Sequence, residues 1–116
     1  MTVRRPDELI VAIEIPPVEG RQWWRKVGTR RAQAISKVMM AGVRSRNAAR
    51  IGIGSVGPTV VFARSASAVL SSGGTIEQAL HALRSEITPM DDVRSTGEYR
   101  RTVAANLLAQ FWSDTQ

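Results

Sequence analysis

The sequence contains no cysteine. Disulfides, thiolate metal ligands, iron–sulfur ligation and cysteine nucleophiles are therefore excluded within this chain. Its single histidine, His81, excludes a multi-histidine metal site. His81 falls on a predicted helix between Leu80 and Ala82, where a surface or half-buried imidazole is a better reading than a catalytic one. Long apolar runs are missing too: nothing approaches the roughly 20 residues needed to span a bilayer. The start, Met1-Thr2-Val3-Arg4-Arg5-Pro6-Asp7, lacks the apolar core of a signal peptide. A cytoplasmic protein without membrane contact is expected.

The most informative scarcity is of negative charge. No acid occurs between Glu19 and Glu77, while ten cations do: Arg21, Arg25, Lys26, Arg30, Arg31, Lys37, Arg44, Arg46, Arg50 and Arg64. Residues 1–19 set two basic groups against four acidic ones, and residues 77–116 set four against six. The net charge of +6 thus comes from one middle block. Such a block is where an anionic partner would bind: a phosphate, a nucleic acid or an acidic protein face. A merely solvated face has the same composition. Nucleic acid ranks last, because no RNP-type aromatic pair, GXXG loop or zinc-finger spacing accompanies the charge.

A chain of 116 residues has the size of one domain, and 43% hydrophobic content suffices for a modest core. Leu9 to Ile15 alternates weakly and is rich in Ile and Val, so it reads as a strand stopped by Pro16-Pro17. Ala34 to Val43 is mostly apolar and fits either a buried strand or a short helix. Arg44 to Ala48 reads as a hairpin turn, and Ala49 to Ile53 as the returning strand. Residues 8–54 are thus expected to form three antiparallel strands. Pro58-Thr59 is expected to open a helix running through Ala63, Ala66 and Leu70, ended by Gly73-Gly74. Thr75 and Gln78 have capping-box spacing ahead of Ile76, Ala79, Leu80 and Leu83 on one face. Ser95-Thr96-Gly97-Glu98 repeats that spacing before Tyr99, Val103, Leu107, Leu108 and Phe111. Strands followed by helices imply an α+β fold, with helices packed on one face of an antiparallel sheet.

Other constellations have plain readings. Asp91-Asp92 is a poor catalytic pair, since adjacent side chains diverge; Asp92 or Ser95 as a turn or helix cap fits better. Gly52-Ile53-Gly54-Ser55-Val56-Gly57 spells G-x-G-x-x-G, but a dinucleotide site needs a parallel βαβ unit. Close backbone packing or a bulge is the better use of those glycines. Trp23 and Trp24 suit either stacking on a base or flavin ring, or anchoring a core or interface.

Several segments together resemble the C-terminal domain of the FAD-binding (medium) subunit of molybdenum hydroxylases, a family that includes carbon monoxide dehydrogenase and xanthine dehydrogenase. They are Glu8 to Pro16, Arg25-Lys26-Val27-Gly28-Thr29-Arg30-Arg31 through Ser36, Ala49 to Thr59, and Pro89-Met90-Asp91-Asp92-Val93-Arg94-Ser95-Thr96-Gly97-Glu98-Tyr99-Arg100-Arg101. The resemblance implies a three-to-four-stranded antiparallel sheet followed by three helices, over residues 7–112, with 1–6 and 113–116 as flexible ends. It also implies a task. In that family the flavin subunit takes electrons from iron–sulfur clusters in a second subunit and passes them to an acceptor. The N-terminal FAD-binding domains grip the pyrophosphate, while the C-terminal domain closes over the isoalloxazine and touches neighbouring subunits.

On this resemblance Lys26 matches the family's lysine near the flavin ring. Arg30, with Arg31 beside it, falls in the loop lining the acceptor side. Implied partners are the FAD-binding domains and the iron–sulfur and molybdenum subunits. The glycine-rich phosphate loops have no counterpart in these residues, so FAD binding by the chain alone is expected to be weak or absent, and no catalytic or metal-binding residue is expected. The family's sequence continues upstream of Glu8, so Met1 is expected to be an artificial start, a mis-called start or the mark of a split gene. The alternative is a free-standing homodimeric or adaptor module of the same fold, with Trp23, Trp24, Phe111 and Trp112 forming an exposed apolar patch.

Overall fold

The computed structural model describes residues 4–30 and 35–116. Four strands form one antiparallel sheet in the order β1 (Arg21–Gly28), β2 (Ser36–Arg44), β3 (Ala49–Gly54) and β4 (Val61–Phe62). Three helices follow: α1 (Arg64–Ser71), α2 (Ile76–Glu86) and α3 (Gly97–Asp114). This is the α+β arrangement expected from the sequence. Strand alternation decides what is buried. Trp23, Val38, Met40, Ala49, Ile51 and Ile53 point into the helix-covered core, and their sequence neighbours stand on the opposite face.

One expected strand differs. Leu9–Ile15 forms no strand; its residues are exposed, because β propensity alone does not supply a partner edge. The first strand is instead Arg21–Gly28, inside the basic run. There Trp23 and Val27 alternate inward while Trp24 and Lys26 alternate outward, and the intervening cations mask the period. The apolar stretch 34–43 is resolved in favour of a strand, β2, and the turn at residues 45–48 joins it to β3. The two-residue β4 at Val61–Phe62 is the fourth strand that the family resemblance allows.

Helix α1 begins at Arg64 rather than at Pro58-Thr59. Its cap comes from elsewhere in the chain. Glu86 Oε1 accepts a hydrogen bond from Ser65 N at 2.7 Å, and Oε2 accepts one from Ala66 N at 3.1 Å. A carboxylate from α2 thus satisfies the free N–H groups that a local side chain would otherwise cap. The capping box of α2 forms as read: Thr75 Oγ1 accepts from Gln78 N at 3.3 Å, and Gln78 Oε1 accepts from Thr75 N at 3.0 Å. At α3 the cap is Thr96, one residue later than Ser95, with Oγ1 accepting from Tyr99 N at 3.2 Å.

The long helix α3 is seated on the sheet by Phe111. The ring is fully buried and meets Trp23 edge-to-face, with centroids 5.9 Å apart at 61°. Below it lies Gly42 of β2, where a Cβ would stand 2.7 Å from the ring. Trp23 Nε1 donates to Asp114 Oδ2 at 2.8 Å, and the Arg44 guanidinium stacks 3.6 Å from the Trp112 ring centroid. Thr115 Oγ1 donates to Phe111 O at 2.7 Å, and Arg21 donates to the Gln116 carbonyl, so the end of the chain is bound to β1.

A second clamp holds the start of α3. Arg100, 6% exposed, donates from Nη1 to Ser55 O at 3.0 Å and from Nη2 to Asp92 Oδ1 at 2.7 Å. The same Asp92 oxygen accepts from Arg94 N at 2.8 Å and Ser95 N at 3.0 Å. The Arg94 amide, with the Arg100 guanidinium second, holds the Asp92 carboxyl below its ordinary value.

Two expectations follow. Gly42→Ala should cost about 1–3 kcal/mol by overpacking against Phe111. Gly52→Ala, where a Cβ would meet nothing within 4 Å, should shift stability by no more than about 0.5 kcal/mol; urea denaturation of both variants measures the contrast. The depressed Asp92 pKa contributes stability above the usual aspartate range, and that contribution is lost as pH falls through the lowered folded value. Asp92→Asn should therefore be destabilised at neutral pH, with the gap to wild type closing on acidification. A gap that stays constant would show that the carboxylate charge is not what stabilises this corner.

Candidate functional site

The site builds outward from β1. Its alternation places Gln22, Trp24 and Lys26 on the sheet face that no helix covers, paired through β2 with Val43, Ala41 and Met39. At its end the register with β2 shifts between Val27 and Gly28, and this irregularity turns the chain out of the sheet into the loop that carries Arg30. Strand end and loop together line a concavity of about 740 Å³ formed by Trp24, Arg25, Lys26, Val27, Gly28, Thr29 and Arg30. Lys26 is half-buried, and Arg30 and Trp24 are exposed, Trp24 by 68%. No carboxylate belongs to this lining, so the site is cationic with one indole wall. Arg31 lies outside the described residues.

Seven of the ten cations of the middle block divide by use. Arg44 stacks on Trp112, Arg25 sits 5.8 Å from the Trp23 ring centroid, Lys37 sits 5.3 Å from that of Tyr99, and Arg21 holds Gln116. Those four brace the fold. Lys26 and Arg30 belong to the concavity, and Arg50 stands exposed further along the open face. The acidless stretch is thus partly architecture and partly site, a division its composition does not disclose.

The remaining candidates fall away. His81 is exposed on α2. Asp91 and Asp92 bind backbone: Asp91 Oδ1 accepts from Gly97 N at 2.6 Å, and Asp92 folds the turn that precedes α3. Gly52 and Gly54 lie inside antiparallel β3, and the next helix starts ten residues beyond Gly54, at Arg64, so this run makes no helix-opening phosphate loop. Gly52 and Gly54 are not close-packed, whereas a Cβ on Gly57 would stand 3.0 Å from the Val61 side chain; within the sheet the tight approach is at Gly42, which the sequence does not single out. Of the proposed apolar patch, Trp23 and Phe111 are core, Trp112 is half-buried beneath Arg44, and Trp24 alone is open. Among the described residues no group of three His, Asp or Glu side chains could hold a metal ion, and no helix is long and apolar enough to cross a membrane.

An FAD site needs two things: a cradle for the pyrophosphate and a surface for the ring. The described residues fit only the second. The concavity at the end of β1 offers cations and an indole, while the glycine run 52–57 opens no helix.

Comparison with known proteins gives a consistent picture. Residues 23–115 match the family model for the CO dehydrogenase flavoprotein C-terminal domain. Among solved structures, the carbon monoxide dehydrogenase from Oligotropha carboxidovorans superimposes with a TM-score of 0.68 at 22% identity, over 84% of this chain and 37% of that one. The quinoline 2-oxidoreductase from Pseudomonas putida 86 gives a TM-score of 0.70 at 19% identity, over 81% and 36%. The carbon monoxide dehydrogenase from Hydrogenophaga pseudoflava gives 0.67 at 20% identity, over 77% and 34%. This chain therefore spans little more than a third of each of those chains. No curated protein sequence matches it.

Proposed function

Because the chain belongs to the CO dehydrogenase flavoprotein C-terminal domain family, we propose that it is the flavin-covering domain of an FAD-dependent oxidoreductase of the molybdenum-hydroxylase type. One observation carries this assignment: the concavity at the end of β1 gathers Trp24, Lys26 and Arg30 with no carboxylate. Bound FAD would supply the electron-carrying chemistry; the protein residues here supply electrostatics and enclosure. A lysine beside the ring, with Arg30 and Arg31 on the acceptor side, would favour an anionic reduced form over the neutral oxidised one. The Trp24 indole and the strand end would exclude water from one side, which strengthens that attraction by lowering the local dielectric.

The pyrophosphate must be gripped by other domains, so the partners in this proposal are N-terminal FAD-binding domains, with iron–sulfur and molybdenum subunits delivering electrons. The setting is cytoplasmic. The chain by itself is a cover and not a catalyst.

Titrating FAD into the 116-residue chain should give no submicromolar binding; submicromolar affinity would overturn the cover role. In a complete, FAD-loaded subunit carrying this domain, Lys26→Ala should weaken flavin retention or slow flavin reduction about tenfold, the scale of one charge-assisted contact. Its melting temperature should stay unchanged. Flavin kinetics and retention equal to wild type would remove Lys26 from the site.

A further inference from the structure

Three guanidinium groups gather at the end of the sheet opposite the flavin concavity, with no side-chain carboxylate paired to them. Arg21 opens β1 and stands directly across from Arg44, the last residue of β2, and Arg46 lies in the turn that follows. Like charges set opposite one another in a sheet are destabilising, and a nearby carboxylate is the usual remedy. Here that remedy is missing. Among the described residues no ion pair joins any of the three to an acidic side chain. Asp114, on the last turn of α3, is held by Trp23 Nε1 at 2.8 Å. Glu19 lines only the neighbouring concavity, beyond Ser45 and Ala48.

The turn encloses a site. Arg44, Ser45, Arg46 and Asn47 line a concavity of about 240 Å³, closed by Ser71 at the end of α1 and by Trp112 of α3. Arg44 is half-buried and fixed in place. Its guanidinium stacks 3.6 Å from the Trp112 ring centroid, and Nη1 donates to Trp112 O at 3.2 Å. Its Nε and Nη2 groups have no hydrogen-bond partner among the described residues. A guanidinium already held in one orientation, and already stripped of part of its water, loses little more of either when an anion arrives.

Cations beside a helix end can simply answer its unpaired carbonyls. That explanation fails at α1. Ser67 O accepts from Ser71 Oγ at 2.7 Å, Ala68 O from Ser72 N at 3.0 Å, Val69 O from Gly74 N at 2.9 Å and Leu70 O from Gly73 N at 3.4 Å. These four carbonyls are taken by the helix and its own cap, and none is left for Arg44 or Arg46. Stacking on Trp112 accounts for one face of Arg44. It accounts neither for the exposed Arg46 nor for the like-charged pair across the strands. The donors point to a ligand class. Two guanidiniums, an amide and a hydroxyl present more N–H and O–H groups than the two oxygens of a carboxylate take up, and forked guanidinium donors suit the oxygens of a phosphate.

We propose that the turn formed by Arg44, Ser45, Arg46 and Asn47 binds the phosphate group of a small molecule, with Arg21 adding to the positive field. Arg44 is the fixed partner of the anion and Arg46 the second cation, while Ser45 and Asn47 supply neutral donors. Roughly 23 Å of β1 separate Arg21 from Gly28, so the site is distinct from the flavin concavity and independent of that assignment. A nucleic acid would call for cations in a line that follows its backbone. These three are gathered at one corner around a small concavity, which favours one phosphate group over a chain of them.

The test is an NMR titration of the 116-residue chain with inorganic phosphate and, separately, with glycerol phosphate, at an ionic strength held constant with chloride. Saturable shifts are expected at the Arg44 to Ala48 amides and the Trp112 indole, with the Trp24 indole unmoved. The probe that saturates at the lower concentration tells whether the site takes free phosphate or a monoester. Arg46→Ala, at an exposed turn position, should weaken binding about tenfold, the loss of one charge-assisted contact. Arg44→Lys keeps the charge but loses the fork, and should weaken it by a similar factor. Shifts that never saturate, Arg46→Ala binding equal to wild type, or acetate matching phosphate would overturn the proposal. A short oligonucleotide that displaces phosphate and shifts Arg50 and Trp24 as strongly as the turn would overturn it too.

Discussion

The seating of Phe111 over Gly42 governs the rest of this structure. A large ring can be fully buried against a strand only where the strand presents no side chain, and β2 presents none at that point. The contact fixes the depth and direction of α3, and with them the position of everything its last turn grips. Trp23 meets the ring edge-on, Asp114 receives the Trp23 indole, and Trp112 lies under Arg44. The Arg100–Asp92 clamp fixes the other end of the same helix. Between these anchor points α3 is held across β1 and β2, and β1 is thereby fixed at the edge of the sheet.

One-sidedness follows from this arrangement. All three helices gather where the inward residues are, and the outward residues of the same strands are left bare. On β1 those are Gln22, Trp24 and Lys26, beside the loop that carries Arg30. Trp23 and Trp24 are neighbours in sequence and opposite in role: one is the base on which Phe111 rests, the other a wall of the exposed site. The core therefore sets the geometry of the site directly, since whatever holds Trp23 inward also holds Trp24 and Lys26 outward.

How much of this was legible depended on how local the cause was. The Thr75–Gln78 capping box, the turn after β2 and the helical spacing of Leu107, Leu108 and Phe111 are set by residues within a few positions of one another, and they stand where the sequence places them. The start of α1 is not local: its cap is Glu86, more than 20 residues away. Leu9–Ile15 has strand composition without a strand, because a strand is defined by its partner, which composition cannot reveal. Strand β1 is hidden in the sequence because cations at Arg25 and Lys26 break the apolar alternation that Trp23 and Val27 continue. As for the site, Lys26 and Arg30 line one concavity at the end of β1, whereas the exposed row of Trp24, Ala41, Gly52 and Phe62 emerges only once four strands are in register.

The central claim is that the open side of β1 and its following loop, and not the helical layer, meets the flavin-carrying part of an oxidoreductase. Hydrogen–deuterium exchange tests this most directly, comparing this domain within a complete FAD-loaded subunit with the 116-residue chain alone in dilute solution. The account predicts protection gained across Trp24 to Arg30 on assembly, with α1 and α2 unchanged. Protection gained on α1 and α2 while Trp24 to Arg30 exchange as before would contradict it.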